Sequence, residues 1–227
     1  MREASSGRLL CCSDVHGNAR AFRRVLRQAG WRPGCDQLVL MGDYLDRGPD
    51  PRGVLELLRS LLRCPGVTAL KGNHEQLLAD YLAGRIPNVL YLENGGEPTL
   101  EAFAGDGDRL VSESHFLSSL PTYYETDDYI FVHAGLRPGR SLKAQSEDDL
   151  LWIRQPFIDD YRGKTVVFGH TPTFLLQNRW TIFEGADKLG IDTGVAYGGR
   201  LSLVVLPEKQ VYQSPPDEQL LLEEDAN

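Results

Sequence analysis

With 227 residues, of which 41% are apolar and 25% charged, the chain has the length and composition of a soluble globular protein with a buried core. Its 24 basic and 32 acidic residues give a net charge of −8, which argues against nucleic-acid binding, because phosphate backbones are bound by clustered positive charge. The composition thus excludes a disordered tail protein, a disulfide-rich miniprotein and a membrane protein, but it indicates no function.

Short strands alternate with helices in the first part of the chain. Short apolar runs predict the strands, and apolar residues three and four positions apart predict the helices. This repeated β-α order predicts parallel strands with right-handed crossovers and a covered sheet. The elements are a strand at Leu9–Cys12, a helix at Ala19–Ala29, a strand at Gln37–Met41, a helix at Pro51–Leu62, a strand at Val67–Leu70 and a helix at Glu75–Leu82.

The second half of the chain has a different pattern. Residues 84–120 are helical and irregular, so we expect a helical insertion on the scaffold there. After Pro121, two aromatic runs flank Asp127–Asp128 and predict a hairpin. The whole pattern favours one domain over residues 1–213, a mixed α/β sandwich with sheets inside and helices outside. The later strands are predicted at Tyr123–Thr126, Tyr129–His133, Thr165–Phe168, Trp180–Phe183, Gly190–Asp192, Leu201–Leu206 and Gln210–Tyr212.

The C-terminal segment, residues 214–227, holds five acidic residues and no Lys or Arg. It accounts for −5 of the net charge of −8, which leaves −3 for residues 1–213. Two prolines open the segment, so we expect an acidic, solvated and mobile tail.

The four cysteines show no C-x-x-C spacing, and Cys11 and Cys12 are adjacent within an apolar run. This arrangement predicts buried thiols, which are typical of a reducing compartment, so we expect a cytoplasmic protein. The first residues lack an apolar signal core and no run of about 18 apolar residues occurs, so neither an export signal nor a membrane span is predicted. The sequence leaves the oligomeric state open between a monomer and a small oligomer.

Five polar clusters each follow a predicted strand directly. In α/β sheets the ligand site lies beyond the carboxyl ends of the strands, so these clusters would converge on one rim. The glycines within them allow tight turns and close approach of the backbone to a ligand. The clusters are Asp14–Asn18, Gly42–Gly48, Gly72–Glu75, His133–Gly135 and Gly169–Thr171.

The rim would collect carboxylates, imidazoles and one amide. Four of the five histidines of the chain lie in it, whereas His115 lies in a helical stretch elsewhere. Oxygen and nitrogen ligands without thiolate suit Mn, Fe or Zn in a catalytic centre rather than a structural zinc site. A single carboxylate can bridge two metal ions about 3.5–4 Å apart. The candidate residues are Asp14, His16, Asp43, Asp46, Asn73, His74, His133 and His170.

Three of the clusters carry a resemblance to a known family. They read Asp-x-His-Gly from Asp14, Gly-Asp-x-x-Asp-Arg-Gly over Gly42–Gly48, and Gly-Asn-His-Glu over Gly72–Glu75. In this order and spacing they resemble the calcineurin-like metallophosphoesterases, and most closely the phosphoprotein phosphatase branch with its bacterial and phage serine/threonine phosphatases. The resemblance covers about residues 9–206. It implies a four-layer α/β sandwich in which helices flank two mixed β-sheets.

The resemblance also implies two divalent metal ions, with Mn²⁺ expected and Fe or Zn as alternatives. Asp43 would bridge both ions. The other implied ligands are Asp14 and His16 on the first ion, and Asn73, His133 and His170 on the second.

The catalytic residues come from the same resemblance. His74 would be the general acid on the leaving oxygen, and Asp46 would orient it. Arg47 would bind the phosphate, together with Arg154 from the region where the family places a second arginine. The implied mechanism is direct attack by a hydroxide bound to both metal ions, so no Ser or Cys nucleophile is needed.

Two positions depart from the family pattern. Ser13 stands where the family usually has glycine, and a positive φ there would strain a serine. Pro172 stands two positions after His170, where phosphodiesterase and nuclease relatives often carry a further histidine ligand. Because proline cannot bind a metal ion, this departure favours phosphomonoesters.

The leading hypothesis is therefore a phosphatase that acts on phosphoserine and phosphothreonine of proteins. The alternative is a symmetrical bis(5'-nucleosyl)-tetraphosphatase or another nucleotide phosphohydrolase, although Glu75 and Asp46 favour the protein-phosphatase pattern. A non-catalytic binding module on the same fold would be marked by a lost ligand, and every implied ligand is present. The entrance that selects substrates is expected at Tyr81, Tyr91, Glu93 and residues 94–104, where Gly95–Gly96 would form a hinge or an ordinary turn.

Overall fold

Two five-stranded sheets face each other in the structure, a computed structural model that describes residues 7–225 and, for side chains, residues 7–221. Helices cover the outer faces of both sheets, so the layers run helix, sheet, sheet, helix. This is the four-layer α/β sandwich with two mixed sheets that the sequence predicts. The longest helix within residues 7–225 has 12 residues, and no described helix is long and apolar enough to cross a bilayer.

The strands and helices are short and connected by well-defined turns. The strands are β1 (Leu9–Cys12), β2 (Gln37–Leu40), β3 (Val67–Ala69), β4 (Tyr123–Glu125), β5 (Tyr129–Val132), β6 (Thr165–Phe168), β7 (Phe183–Gly185), β8 (Lys188–Gly190), β9 (Leu201–Leu206) and β10 (Gln210–Ser214). The helices are α1 (Ala19–Gln28), α2 (Pro51–Leu61), α3 (Asn73–Leu82), α4 (Asn88–Glu93), α5 (Glu97–Ala102), α6 (Gly107–Ser118), α7 (Glu147–Trp152), α8 (Phe157–Asp160), α9 (Thr173–Gln177) and α10 (Asp217–Asp225).

Both sheets are mixed. The first has the order β10-β9-β1-β2-β3, with β1, β2 and β3 parallel and with β9 antiparallel to β1 and β10. The second has the order β4-β5-β6-β8-β7, with β5, β6 and β8 parallel and an antiparallel strand at each edge. The parallel strands of each sheet end at the same edge, which brings the loops after β1, β2, β3, β5 and β6 together.

Two predicted strands lie elsewhere in the structure. The prediction of strands at Trp180–Phe183 and Gly190–Asp192 is replaced by the hairpin of β7 and β8, whose turn contains Asp187 with a φ of 59°. Ile191 and Asp192 therefore follow β8 rather than belong to it. Local apolar content alone does not reveal this turn, because an Asp rather than a glycine adopts the left-handed conformation in it.

Alternating side chains divide the core into layers. Cys11 points between the two sheets, where it packs in a cluster with Val39 and Phe131. Its neighbour Cys12 points to the other face of the sheet, under the helices, in the cluster that contains Phe22. The four cysteines are free thiols, and both of these are buried, as predicted.

The C-terminal segment differs from the predicted mobile tail. Residues up to Ser214 belong to β10, and Asp217 at the start of α10 is only 2% exposed. The backbone N–H groups of Arg20 and Ala21 donate to the Asp217 carboxylate at 2.9 and 2.7 Å, so this acid caps the start of α1. Leu220 packs in the core between helices and sheet. The acidic side chains of Glu223, Glu224 and Asp225, and residues 226–227 as a whole, lie outside the described part of the chain.

Candidate metal centre and active site

The loops that follow the parallel strands meet at one end of the sandwich and bury their polar side chains there. The predicted rim is thus present in the structure as one site, at the position where α/β folds bind ligands. Every candidate residue named from the polar clusters is at most 7% exposed, namely Asp14, His16, Asp43, Asp46, Asn73, His74, His133 and His170.

Asp43 lies at the centre of this site. Its Oδ2 is 3.5 Å from His16 Nε2 and 4.0 Å from His74 Nε2, whereas its Oδ1 is 3.4 Å from His133 Nε2. The backbone N–H of His74 also donates to Oδ1 at 3.0 Å, which fixes the carboxylate. The two oxygens of Asp43 therefore face two different groups of imidazoles, the arrangement that a bridging ligand requires.

Two histidines are held in a definite tautomer by backbone carbonyls. His16 Nδ1 lies 3.0 Å from the carbonyl oxygen of Leu45, and His133 Nδ1 lies 2.8 Å from that of Met41. A carbonyl only accepts hydrogen bonds, so each Nδ1 carries the proton and each Nε2 presents its lone pair. Both Nε2 atoms face Asp43, so both rings are oriented as metal ligands.

Asn73 lies between His133 and His170. Its Oδ1 is 2.8 Å from His133 Nε2 and 2.8 Å from His170 Nδ1. His170 Nε2 is buried and has no hydrogen-bond partner within the described residues. The structure thus groups Asn73, His133 and His170, the three residues that the resemblance assigns to one metal ion.

Asp14 completes the cluster from β1. The backbone N–H of His170 donates to Asp14 Oδ2 at 2.9 Å, and a side chain at Gly169 would collide with Oδ1. Ser13 is absent from the residues with positive φ, so its backbone is unstrained where the family usually has glycine. Donor atoms of Asp14, Asp43 and His133 lie within 4.8 Å of one another, as do those of His16, Asp43 and His74.

The charges of this cluster fit divalent cations. Burial raises the pKa of Asp14 well above its usual range, and the nearby carboxylates of Asp192 and Asp43 raise it further. Burial likewise lowers the pKa of His16, of His133 and of His170, in the last case to about 2. Neutral imidazoles and buried carboxylates that repel one another are the groups that a cation stabilises.

His74 differs from the other three histidines. Burial lowers its pKa, but the charge of Asp43 and then the hydrogen bond with Asp46 outweigh this effect, so the net pKa is raised above 6.5. Its Nδ1 is 2.7 Å from Asp46 Oδ2. The hydroxyls of Tyr91 and Thr99 donate to the other oxygen of Asp46 at 2.7 and 2.6 Å. The raised pKa therefore separates His74 from His16, His133 and His170, whose pKa values are lowered.

Arg47 and Arg154 lie on two sides of the site. Arg47 Nη1 is 2.8 Å from His16 Nε2, and its guanidinium lies 5.1 Å from the ring centroid of Tyr197. Arg154 is exposed, and its Nη2 donates weakly to the carbonyl of His170 at 3.5 Å. Each guanidinium group thus contacts one of the candidate metal ligands, His16 or His170.

The site is built from strained backbone. Five non-glycine residues of the site adopt a positive φ, a conformation that costs about 1 kcal/mol or more for each. Such strain persists only where surrounding contacts over-determine it, and it is frequent at functional sites. These residues and their φ angles are His16 (43°), Asp43 (52°), Asp46 (65°), Arg47 (68°) and His170 (59°).

Glu75 connects the second and third motifs. Its carboxylate accepts hydrogen bonds from the backbone N–H groups of Asp43, Tyr44 and Gly72 at 2.9, 2.9 and 2.8 Å. The bond from Gly72 also caps α3, which begins at Asn73 rather than at the predicted Glu75. Glu75 therefore fixes the backbone of Asp43 and ties the second motif to the third.

The sequence does not predict that the insertion, residues 84–120, packs against the second motif. Tyr91 is expected at the entrance, but it is fully buried and braces Asp46, and Thr99 does the same. The carbonyl of Gly95 accepts from the Arg47 backbone N–H at 2.8 Å, so the Gly95–Gly96 segment clamps the second motif. These contacts join positions far apart in the sequence and leave no local signal.

Asp192 is a further acid of the site that the sequence does not predict. Asp192 is 5% exposed, its charge raises the pKa of Asp14, and burial raises its own pKa to about 6. The sequence feature that indicates Asp192 as a site residue is an acid next to Thr193-Gly194 after an apolar run. The prediction placed this acid inside a strand, whereas β8 ends before it.

The family is shown by direct comparison. The model of the calcineurin-like phosphoesterase family matches residues 7–221, nearly the whole chain. The chain belongs to this family, and it is accordingly a hydrolase enzyme of the metallophosphoesterase class, whose members use a two-metal centre.

The proteins similar to this chain include protein phosphatases and bis(5'-nucleosyl)-tetraphosphatases. The chain is 33% identical to serine/threonine-protein phosphatase 1 of Salmonella typhimurium, over 84% of this chain and 88% of that protein. It is 26% identical to the asymmetrical bis(5'-nucleosyl)-tetraphosphatase PrpE of Anoxybacillus flavithermus, over 89% and 91% of the two chains. Among solved structures, that of a candidate diadenosine tetraphosphatase matches with a TM-score of 0.69 and 27% identity, covering 93% of this chain and 95% of the other.

Proposed function

We propose that the chain is a phosphatase of phosphoserine and phosphothreonine in proteins. One observation carries the proposal: His74 Nδ1 lies 2.7 Å from Asp46, and the charge of Asp43 together with this hydrogen bond raises the pKa of His74, whereas burial lowers the pKa of the neighbouring histidines. This difference supports one proton donor beside a set of metal ligands. The relative with 33% identity, a serine/threonine-protein phosphatase, supports the choice of substrate.

The ligand set supports two divalent cations, and we propose Mn²⁺ for both positions. Carboxylate, imidazole and amide oxygen donors without thiolate suit this ion. When bound, the cations supply Lewis-acid activation of water and neutralise charge on the phosphoryl oxygens. The proposed ligands are Asp14, His16, Asp43, Asn73, His133 and His170.

The residues around the cations perform the remaining tasks. The His74 imidazolium delivers a proton to the departing alkoxide of serine or threonine, which is a poor leaving group without protonation. Asp46 keeps this imidazole charged and oriented through the hydrogen bond at Nδ1. Arg47 and Arg154 bind phosphoryl oxygens with planar guanidinium groups that remain charged at any working pH.

A second candidate function has support of its own. The tetraphosphatase PrpE and the candidate diadenosine tetraphosphatase structure are similar to this chain over about nine-tenths of its length. A dinucleoside polyphosphate would place a phosphorus of its anhydride chain, which has two bridging oxygens where a phosphomonoester has one, against the same residues. The residues of the site are common to both candidates, so relative rates on the two kinds of substrate distinguish them.

A substrate panel with a histidine pair tests the proposal. The Mn²⁺-loaded enzyme should hydrolyse phosphoserine and phosphothreonine peptides with higher kcat/KM than diadenosine tetraphosphate. His74→Asn should lower kcat by about 10² to 10⁴ while the bound metal, counted by elemental analysis, stays constant. The matched control is His115→Asn, which removes the one histidine outside the site and should leave activity unchanged. Full activity in His74→Asn would refute the assignment of the acid.

A further inference from the structure

A cavity of about 250 Å³ opens beside the candidate phosphate site, and it is apolar. Apart from the Arg154 side chain, its walls are aliphatic or aromatic. Large apolar side chains left in water are unfavourable in proportion to their exposed area, so a group of them marks a binding surface. The lining residues are Arg154, Pro172, Phe174, Leu175, Trp180 and Tyr197.

Three of these side chains are strongly exposed for their type. Phe174 is 40% exposed, Leu175 69% and Tyr197 52%. Leu175 is the most exposed large apolar side chain among the described residues. Phe174 stacks on Trp180, with ring centroids 4.9 Å apart, so the wall that they form is ordered.

Residues on two sides of the cavity contact residues of the candidate active site. Helix α9, which carries Phe174 and Leu175, follows His170 after two residues, and its first backbone N–H, that of Thr173, donates to the Asp192 carbonyl at 2.8 Å. On the other side, the Tyr197 ring lies under the guanidinium of Arg47. A phosphate bound by Arg47 and Arg154 would thus lie at the rim of the cavity, and the organic part of the substrate would be next to it.

The walls suit an apolar side chain better than a nucleobase. The rings of Phe174 and Trp180 are stacked on each other, and Arg47 covers the ring of Tyr197. One face of each of these three rings is therefore already in contact with the protein and cannot stack on a base. Pro172 and Leu175 are aliphatic and cannot donate to or accept from the polar edge of a base.

We propose that this cavity binds an apolar side chain that flanks the phosphorylated residue of a protein substrate. The inference rests on the proposed function and deepens it, since it states which phosphoproteins are preferred. Burial of one leucine-sized side chain that is otherwise in water should raise kcat/KM about tenfold.

Paired phosphopeptides test the inference directly. The Mn²⁺-loaded enzyme is assayed on phosphothreonine peptides that carry either Leu or Ala at each flanking position in turn, and on free phosphothreonine. We expect at least one position at which Leu is preferred about tenfold. Leu175→Ser should reduce this preference several-fold, while kcat/KM for free phosphothreonine stays within about twofold.

A control variant and the opposite outcomes make the test specific. Val111→Ser alters another solvent-exposed apolar residue, 40% exposed on α6, and should leave the preference unchanged. Hydrolysis of all phosphopeptides without any dependence on the flanking residues would overturn the inference but leave the proposed function standing. If no phosphopeptide is hydrolysed and Leu175→Ser instead slows hydrolysis of diadenosine tetraphosphate, both are overturned, and the cavity binds a nucleobase.

Discussion

His74 Nδ1 lies 2.7 Å from Asp46 Oδ2, and both side chains are almost completely buried. The other oxygen of Asp46 accepts from the hydroxyls of Tyr91 and Thr99, so the carboxylate has two donors besides the imidazole. A carboxylate with this number of donors is held in one orientation. The insertion, which supplies Tyr91 and Thr99, therefore fixes the carboxylate that contacts His74.

This relationship predicts the effect of Asp46→Asn on the pH profile. Asp46 raises the pKa of His74, so its removal should lower that pKa and make the acid lose its proton at a lower pH. The alkaline limb of the kcat profile should therefore move to lower pH, and kcat at neutral pH should fall about tenfold or more. Measurement of kcat from about pH 5 to 10, at constant metal content, checks this. An alkaline limb at the same pH in both enzymes would contradict it.

Asp14→Asn should have opposite effects with and without metal ions. In metal-free protein the amide removes repulsion from Asp43 and Asp192 yet keeps an oxygen acceptor for the His170 N–H, so Tm should stay equal or rise. Saturating Mn²⁺ should raise the Tm of the wild type because it binds only the folded state. This increase should be much smaller in Asp14→Asn. Equal increases in both proteins, measured by calorimetry, would rule out Asp14 as a ligand.

Arg47→Ala should act mainly on the phosphoryl group. Loss of one charged donor to a developing anion costs about 10² to 10³ in rate, so kcat/KM should fall by that factor for every phosphomonoester. Arg47→Lys should recover only part of the loss, because an ammonium lacks the planar pair of donors. Arg85→Ala provides the control, since the Arg85 side chain is 58% exposed and pairs with Asp80 at the surface. Unchanged inhibition by inorganic phosphate in Arg47→Ala would refute the role.

Much of the site could be predicted because its signals are local. Each of the motifs with Asp14, Asp43 and Asn73 follows a short apolar strand, and parallel strands must end at one edge of a sheet. The chemistry of each residue type then restricts what the converging loops can do. Fold class and the set of candidate ligands thus follow from adjacency in sequence.

The remaining parts depend on contacts between distant segments. Asp192 lies near Asp14 because β8 ends at Gly190 and Asp192 belongs to the loop that follows. Tyr91 reaches Asp46 only through the packing of α4 against α3. Neither position carries a periodic or motif signal, because tertiary packing decides which face of a short helix or loop is buried.

Asp36 should make stability depend on acid pH. Its buried carboxylate is 2.7 Å from Arg8 Nη2 and 2.8 Å from Arg32 Nη2. Burial alone would raise its pKa, but hydrogen bonds from Arg32 and Arg8 outweigh burial and hold the pKa well below 3.8. Because the native pKa is lowered, this stabilisation is fully present above about pH 4 and is lost as the pH falls toward the native value.

Asp36→Asn should accordingly lower the free energy of unfolding by about 1 kcal/mol at pH 7 and by less at about pH 2.5. Urea denaturation of both proteins at the two pH values checks this. Asp127→Asn is the control, because Asp127 is an exposed acid in a turn and should change stability little at either pH. A difference that is the same at both pH values would exclude the ionised pair as its cause.

The start of α1 should depend on an acid at the far end of the chain. Asn18, at the N-cap position of α1, makes no side-chain cap; instead Asp217 accepts from the Arg20 and Ala21 N–H groups. Asp217→Ala should therefore lower the free energy of unfolding by about 1–2 kcal/mol, the usual cost of a lost cap. Glu218→Gln changes the next, exposed acid of α10 and should have little effect. Equal urea midpoints for Asp217→Ala and the wild type would mean that the segment after β10 does not dock in solution.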